Sequence, residues 1–359
     1  MLVSRRTALC GLTATVCCAA RGVAAKSSMP RASVVDVHHH FYPEFLIKAW
    51  AAAPDESDWT AYKTLFMRPP YSEWSAPSAL ERMDASGIAT AVLSLPSGTV
   101  SFLRGAAKAG MIRAINEYAT QLSQKHPGRF GLFALLPMPD VNASLSEITY
   151  ALDTLGATGI GLMTSYGHRW LGHPDFSPVL EELNRRKAVV HVHPHTPVCC
   201  TDPVQSNPWG ATAMLEFPYD SGRTIFDLVR SGSLVRFPDI EWIFSHLGGV
   251  IPMLAGRLRD VGPGFWTGLE HVAPRGIDHE LRRLHYDTAA SAHAPSMQAA
   301  LAYLPEDSLL FGTDHPPDGL PAAIQNFAAL RIPTRIKRAI QTDNPRRILT
   351  RLPSPSGVL

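Results

Sequence analysis

Short apolar runs recur along the chain, separated by longer stretches in which apolar residues return every three or four positions. The runs fall at 34–38, 88–95 (IATAVLSL), 130–136 (FGLFALL), 158–163 (TGIGLM), 188–193, 241–245, 284–288 (LHYDT) and 308–312. Several are continuous rather than alternating, as strands buried on both faces require. The helical patterns between them lie near 76–86, 105–125, 143–155, 175–186, 222–236, 249–260, 294–304 and 320–330. Eight strands, each followed by a helix, predict a (β/α)8 TIM barrel. The length of 359 residues exceeds an average domain but suits one such barrel. No repeat, low-complexity stretch or interdomain linker interrupts it. Two insertions stand out, at 41–75 and 195–221, and both should overhang the C-terminal face, where barrels of this kind bind their substrates.

Metal-binding side chains cluster where these runs end. VVDVHHH closes at His38, His39 and His40, AVVHVHP carries His193, EWIFSH ends on His246 and SLLFGTD on Asp314. Side chains two apart on a strand share a face, so His38 and His40 can aim at one ion while His39 points away. Imidazole and carboxylate without thiolate suit a Zn-like or Mn-like ion that keeps a position open for water or substrate. The chemistry expected is that of a metalloenzyme.

Composition narrows this little, and charge only by exclusion. Hydrophobic residues make up 45% and charged residues 18%, which is ordinary for a globular chain. A formal charge of +2 and no Lys/Arg run in the body offer no field for nucleic acid. Residues 1–25 differ in kind. Ser4-Arg5-Arg6 leads into ALCGLTATVCCAA, and Val23-Ala24-Ala25 offers small residues for cleavage. This reads as an export signal of the twin-arginine type, directing the folded protein to the periplasm. The apolar run is too short to span a bilayer, so no membrane insertion is expected after processing. Removal takes three arginines and no acid, turning the charge from +2 to −1, and takes Cys10, Cys17 and Cys18. The remaining Cys199 and Cys200 are neighbours, for which a disulfide would be strained.

The motifs together resemble a known family. DVHHHFYP at 36–43, HVHP at 191–194, RFPDIEWIFSHLGGVIPMLAGR at 236–257 and LLFGTDHP at 309–316 look like the amidohydrolase-related family. They look most like its aminocarboxymuconate semialdehyde decarboxylase branch, over residues 33–350, with 351–359 as a tail. Within that branch, HPGRFGLFALLPMPD and MLEFPYDSGRTIFDLVRSG are similar to the 6-methylsalicylate decarboxylase group. The resemblance implies His38, His40, His193 and Asp314 as ligands of one divalent ion, Zn2+ first and Mn2+ second, with His246 as an acid/base beside it. Some hydrolytic relatives bridge two metals with a strand-four lysine; TGIGLMTS has none, which favours one ion. The resemblance also implies that Arg257 reaches a partner subunit's site to hold a carboxylate, and hence a homodimer.

A divalent ion can chelate a carboxylate and an adjacent phenolate, and loss of CO2 then requires protonation of the carbon left behind. Imidazole, titrating near about 6.5, suits that step; His246 is the candidate and Asp314 the competing donor. The reading is a non-oxidative decarboxylase of a hydroxylated aromatic acid. Two alternatives stay open: a metal-dependent hydrolase of a lactone or related ester or amide, and a barrel that binds an aromatic acid without catalysis. Around the site, His39 and His191 are expected to be packed and hydrogen-bonded, His195 to flank the ligand, and His315 to shape its loop. Asp287 is expected to orient His246 or a hydroxyl, or to cap a loop. Trp74, Phe217 and Tyr219 are candidates for an aromatic wall.

Overall fold

In a computed structural model of the chain, residues 33–54, 57–96, 98–198, 212–316 and 319–353 are described. The expected export signal, Cys199-Cys200 and most of the tail lie outside these residues. Ten strands follow in order: β1 (Val34–His40), β2 (Ile88–Ser94), β3 (Phe130–Leu135), β4 (Gly159–Met163), β5 (Ser165–Tyr166), β6 (Arg169–Trp170), β7 (Val189–His193), β8 (Glu241–Phe244), β9 (His285–Asp287) and β10 (Leu309–Leu310). Eight form one parallel sheet in the order β1-β2-β3-β4-β7-β8-β9-β10. The sheet closes on itself, because Val37 N donates to Phe311 O at 2.9 Å and Asp314 N to His38 O at 2.9 Å. The expected (β/α)8 barrel is therefore the fold. Each predicted apolar run became a strand within a residue or two, except that β10 is cut to two residues. The hairpin β5–β6 was not foreseen; it is a tight turn through Gly167, which has φ +66°.

Burial explains why the runs were continuous. β2 and β3 are buried at every position. A small inner cluster joins Val35 and Val37 of β1 with Val92, Phe133, Val189, Ile243 and Leu310, one from each of five other strands. Only the lumen of a closed barrel brings six strands into one cluster. A larger cluster lies between the strands and the surrounding helices. On β1 the pairing with β2 shifts between Asp36 and His39. This irregularity breaks the simple alternation: Val35 and Val37 face the inner cluster, yet His38 and His40, not His39, face the site beyond it.

The first insertion is not loop but two helices, Glu44–Ala52 and Ser57–Phe66. Trp50 anchors it, fully buried, stacking on Phe66 at 4.8 Å and donating from Nε1 to Thr99 O at 2.7 Å. The helix expected near 222–236 starts earlier, running Phe217–Arg230, with Pro218 in its first turn, where a missing N–H costs nothing. Among the described residues, no helix is long and apolar enough to cross a membrane.

Candidate metal centre

Parallel strands end at the same mouth of a barrel, so the residues that close them converge. His38 and His40 end β1, His193 ends β7, and His246 follows β8 within a single 3-10 turn. Asp287 ends β9, and Asp314 stands four residues beyond β10. His38, His40 and His193 are buried, and the Asp314 side chain is 14% exposed. One metal-ligating atom from each of His38, His193, His246 and Asp314 lies within 4.8 Å of the others. His40 completes the crowd: its Nε2 sits 3.2 Å from His38 Nε2 and 2.8 Å from Asp314 Oδ1. All five residues singled out from the sequence are thus brought together.

The hydrogen bonds behind these rings decide what they present to the centre. His38 Nδ1 lies 2.9 Å from Asp287 Oδ2, His40 Nδ1 3.3 Å from Ser94 O, and His193 Nδ1 2.8 Å from Pro194 O. A carboxylate or carbonyl oxygen only accepts, so each ring carries its proton on Nδ1. When the rings are neutral, three Nε2 lone pairs converge beside the Asp314 carboxylate. Such a set repels itself unless a cation joins it, and outer acceptors of this kind are what hold metal-bound imidazoles. The residues present fit a divalent ion with nitrogen and oxygen donors.

Electrostatics agree. Burial depresses the basicity of His38, but the carboxylates of Asp287 and Asp314 outweigh it and push its pKa up to about 10. Burial lowers His40, with Asp314 only partly offsetting it, and holds His193 well below the ordinary range. Burial would raise Asp314, yet the imidazoles around it, His38 foremost, hold it well below the usual carboxylate range. His40 and His193 stay neutral beside an ionised Asp314, and the centre's attraction for positive charge shows in the proton that His38 retains, the place a divalent cation would take.

Two site residues carry backbone strain. His246 has φ +56° and Asp314 φ +58°, a left-handed region costly for residues with a Cβ. His246 is kept there by its N–H, which donates to Asp287 Oδ1 at 3.0 Å, and Asp314 by its N–H to His38 O. The turn after His246 passes through Gly248 and Gly249; a Cβ on Gly249 would stand 2.0 Å from Pro218 O and one on Gly248 2.6 Å from the Tyr286 ring, so neither glycine has room for a side chain. His246 Nε2 lies 3.4 Å from Asp314 Oδ2 without an aligned hydrogen bond, and it is a buried nitrogen with no hydrogen-bond partner among the described residues.

A cavity of about 550 Å³ opens from the centre, and His40, His193, His246 and Asp314 form its floor. Leu65, Phe66, Pro96, Phe217, Ala290 and Ala292 make an apolar wall; Tyr71, Thr288, Ser291, His293 and Asn326 add polar groups. No lysine or arginine lines it among the described residues. The expected aromatic wall is corrected here. Phe217 belongs to it, 6.0 Å from the His193 ring, but Trp74 packs on Phe41 and lines a separate groove, and Tyr219 is 50% exposed. Phe66 and Tyr71 replace them; the aromatic richness of the first insertion was the available signal. His39 is packed, bonded to Asp36 and 4.9 Å from the His315 ring, and His315 shapes the closing loop as expected. Asp287 does more than expected: besides the His246 backbone it holds His38 and His191. Arg257 is exposed on the helix Ile251–Phe265 and does not line the cavity.

Barrel and centre together define a metal-dependent enzyme of the amidohydrolase type. The chain belongs to that family: a family model described as "Amidohydrolase" matches residues 35–351. The decarboxylase macB of Penicillium terrestre is 35% identical over 294 residues, covering 79% of this chain and 83% of that one. The 6-methylsalicylic acid decarboxylase of Penicillium expansum is 32% identical over 326 residues, covering 89% and 96%. A solved dihydroxybenzoic acid decarboxylase from Polaromonas sp. JS666, with bound manganese and the inhibitor 2-nitroresorcinol, matches with a TM-score of 0.73. It is 21% identical, covers 89% of this chain and 97% of that one, and shares the fold. These relatives are in line with the decarboxylase branch to which the motifs pointed.

Proposed function

We propose that the protein is a metal-dependent, non-oxidative decarboxylase of a hydroxylated aromatic acid of the 6-methylsalicylate kind. The observation that carries this is the convergence of three imidazole Nε2 atoms and a carboxylate at the floor of a largely apolar cavity, beside His246, whose Nε2 lies 3.4 Å from Asp314 Oδ2. His38, His40, His193 and Asp314 would hold a divalent ion, which would supply Lewis acidity toward a carboxylate and its ortho hydroxyl. The apolar wall of Leu65, Phe66 and Phe217 orients the ring and excludes water. The bond from ring carbon to carboxylate breaks, CO2 leaves, and a proton takes its place; His246 Nε2, facing the cavity, delivers that proton. With no lysine on β4, nothing there bridges a second ion, which supports one metal over the two of many hydrolases. The N/O donor set admits Zn2+ or Mn2+, and the manganese of the Polaromonas relative supports the latter.

A screen of o-hydroxybenzoates with metal-reconstituted protein tests the reading. CO2 release is expected from salicylates bearing an apolar ring substituent, which the alanine and phenylalanine wall accommodates, and to fall when that substituent is charged. Opening of lactones or esters without CO2 release would establish the hydrolase instead.

A homodimer is part of the proposal. Among the described residues no lysine or arginine lines the cavity to assist an ion in holding the substrate carboxylate, while Arg257 stands exposed on a neighbouring helix, suited to bidentate carboxylate binding. Mixing inactive His246→Asn with inactive Arg257→Ala subunits should restore part of the activity. A monomer in solution, or no recovery after verified exchange, would remove Arg257 from the neighbouring site. Export through the twin-arginine route is proposed from Ser4-Arg5-Arg6; fractionation should find the wild type in the periplasm and the Arg5→Lys, Arg6→Lys variant inside the cell, and a cytoplasmic wild type would refute it.

A further inference from the structure

We infer that Asp287 is a positioning residue that sets the tautomer of the ligand His38 and the place of the proton-moving His246 at once. The inference rests on the proposed metal centre, though not on which reaction the centre performs. Asp287 is fully buried at the end of β9. Its Oδ2 meets His38 Nδ1 at 2.9 Å and His191 Nε2 at 3.1 Å. Its Oδ1 accepts from the backbone N–H of His246 and of Ala289, both at 3.0 Å. A carboxylate has about four acceptor directions, and here four donors fill them.

Each bond has a consequence for the site. Because the carboxylate only accepts, His38 carries a proton on Nδ1, so Nε2 is the nitrogen that gives up its proton and turns a lone pair to the centre when a cation binds. Because the His246 N–H is tied to the other oxygen, the histidine keeps its left-handed backbone and its ring stays at the cavity floor. His191 completes the cage. Phe133 lies flat against it, centroids 5.0 Å apart and planes 2° from parallel, so the ring cannot turn its Nε2 away. Gly159 on β4 makes room for that Phe133; a Cβ there would stand 3.0 Å from Phe133 Cδ1 and 2.5 Å from Val189 O.

Asparagine at 287 keeps the shape and breaks the logic. With its amide nitrogen toward the rings, His38 must accept at Nδ1, which moves the ring proton to Nε2 and blocks the ligand position. With the nitrogen toward the backbone, a donor faces two donors and the His246 turn loses its hold. Both orientations cut one arm, whereas a packing residue would tolerate this isosteric change.

The test combines metal affinity with tautomer detection. In Asp287→Asn, chelator competition should show the dissociation constant for Zn2+ raised roughly 10–100-fold, the cost of losing an outer acceptor of a metal-bound histidine. At saturating metal, kcat should fall while KM stays within a few-fold. In wild-type protein loaded with diamagnetic Zn2+ and labelled with 15N-histidine, His38 should show a proton on Nδ1 and none on Nε2. The same His38 Nδ1–H should resonate far downfield and exchange slowly, as a bond to a buried carboxylate requires; an ordinary, rapidly exchanging Nδ1–H would overturn the inference even if Asp287→Asn fails to fold. His191→Phe, which leaves the Asp287–His38 bond in place, should change metal affinity by no more than a few-fold. Wild-type His38 protonated on Nε2, or Asp287→Asn with unchanged Zn2+ affinity and kcat, would overturn the inference. A lack of CO2 release from every benzoate tested, with the tautomer and affinity results as expected, would sink the proposed reaction and leave this inference standing.

Discussion

In a His246→Asn variant, turnover should drop by about 10²–10⁴-fold, the usual contribution of a positioned acid or base, while metal content stays at one ion per chain. Asparagine keeps a polar group of similar reach but has no proton to exchange near neutral pH. The His246 backbone should stay in place, because it is held through its N–H to Asp287, which the substitution does not touch. The comparison of kcat with metal content is decisive because the geometry allows two roles. One ring nitrogen of His246 lies within 4.8 Å of ligating atoms of His38, His193 and Asp314. If His246→Asn also lost its metal, the residue would be a ligand, and a two-metal hydrolytic centre would replace the decarboxylase reading. Metal analysis and kcat measured on the same preparation separate the outcomes.

His193→Ala should cost more. It removes one of three lone pairs converging on the centre and leaves a void beside Phe217, whose ring is 6.0 Å from the imidazole. Metal affinity should fall by more than the roughly 10–100-fold that loss of an outer-shell partner costs, and CO2 release should disappear with it at micromolar metal. The fold should persist, since His193 ends β7 and, among the described residues, its Nδ1 bonds to the adjacent Pro194 O alone. Added imidazole, which can occupy the vacated volume and present a nitrogen, should restore part of the bound metal and of the activity. Unchanged metal content in His193→Ala would remove this residue from the ligand set.

How much of this was legible beforehand differs between strand ends and loops. His38, His40 and His193 were readable because a strand fixes direction: alternate side chains share a face, and apolar runs mark where each strand lies. Asp314 was legible as the close of a run, although β10 itself is only Leu309–Leu310 and the aspartate stands on a left-handed residue beyond it. The role of Asp287 was only half visible. Nothing local to HYDT says that its carboxylate will meet His38, which is 249 residues away, and His191, 96 residues away. The aromatic wall was misplaced for a related reason. Trp74 and Tyr71 are three apart in one insertion, and only the packing of the helices Glu44–Ala52 and Ser57–Phe66 decides which one reaches the cavity.

The barrel, the order of its strands and the kind of chemistry at their ends are already written in the chain. Apolar periodicity and ligand-type residues are local properties that any neighbouring structure must respect. Tertiary structure alone decided the tautomers of the ligating rings, the strained turns at His246 and Asp314, and the walls of the cavity. Each of these depends on an acceptor, a backbone path or a packed ring supplied by a distant strand. Such partners exist only once the barrel has closed.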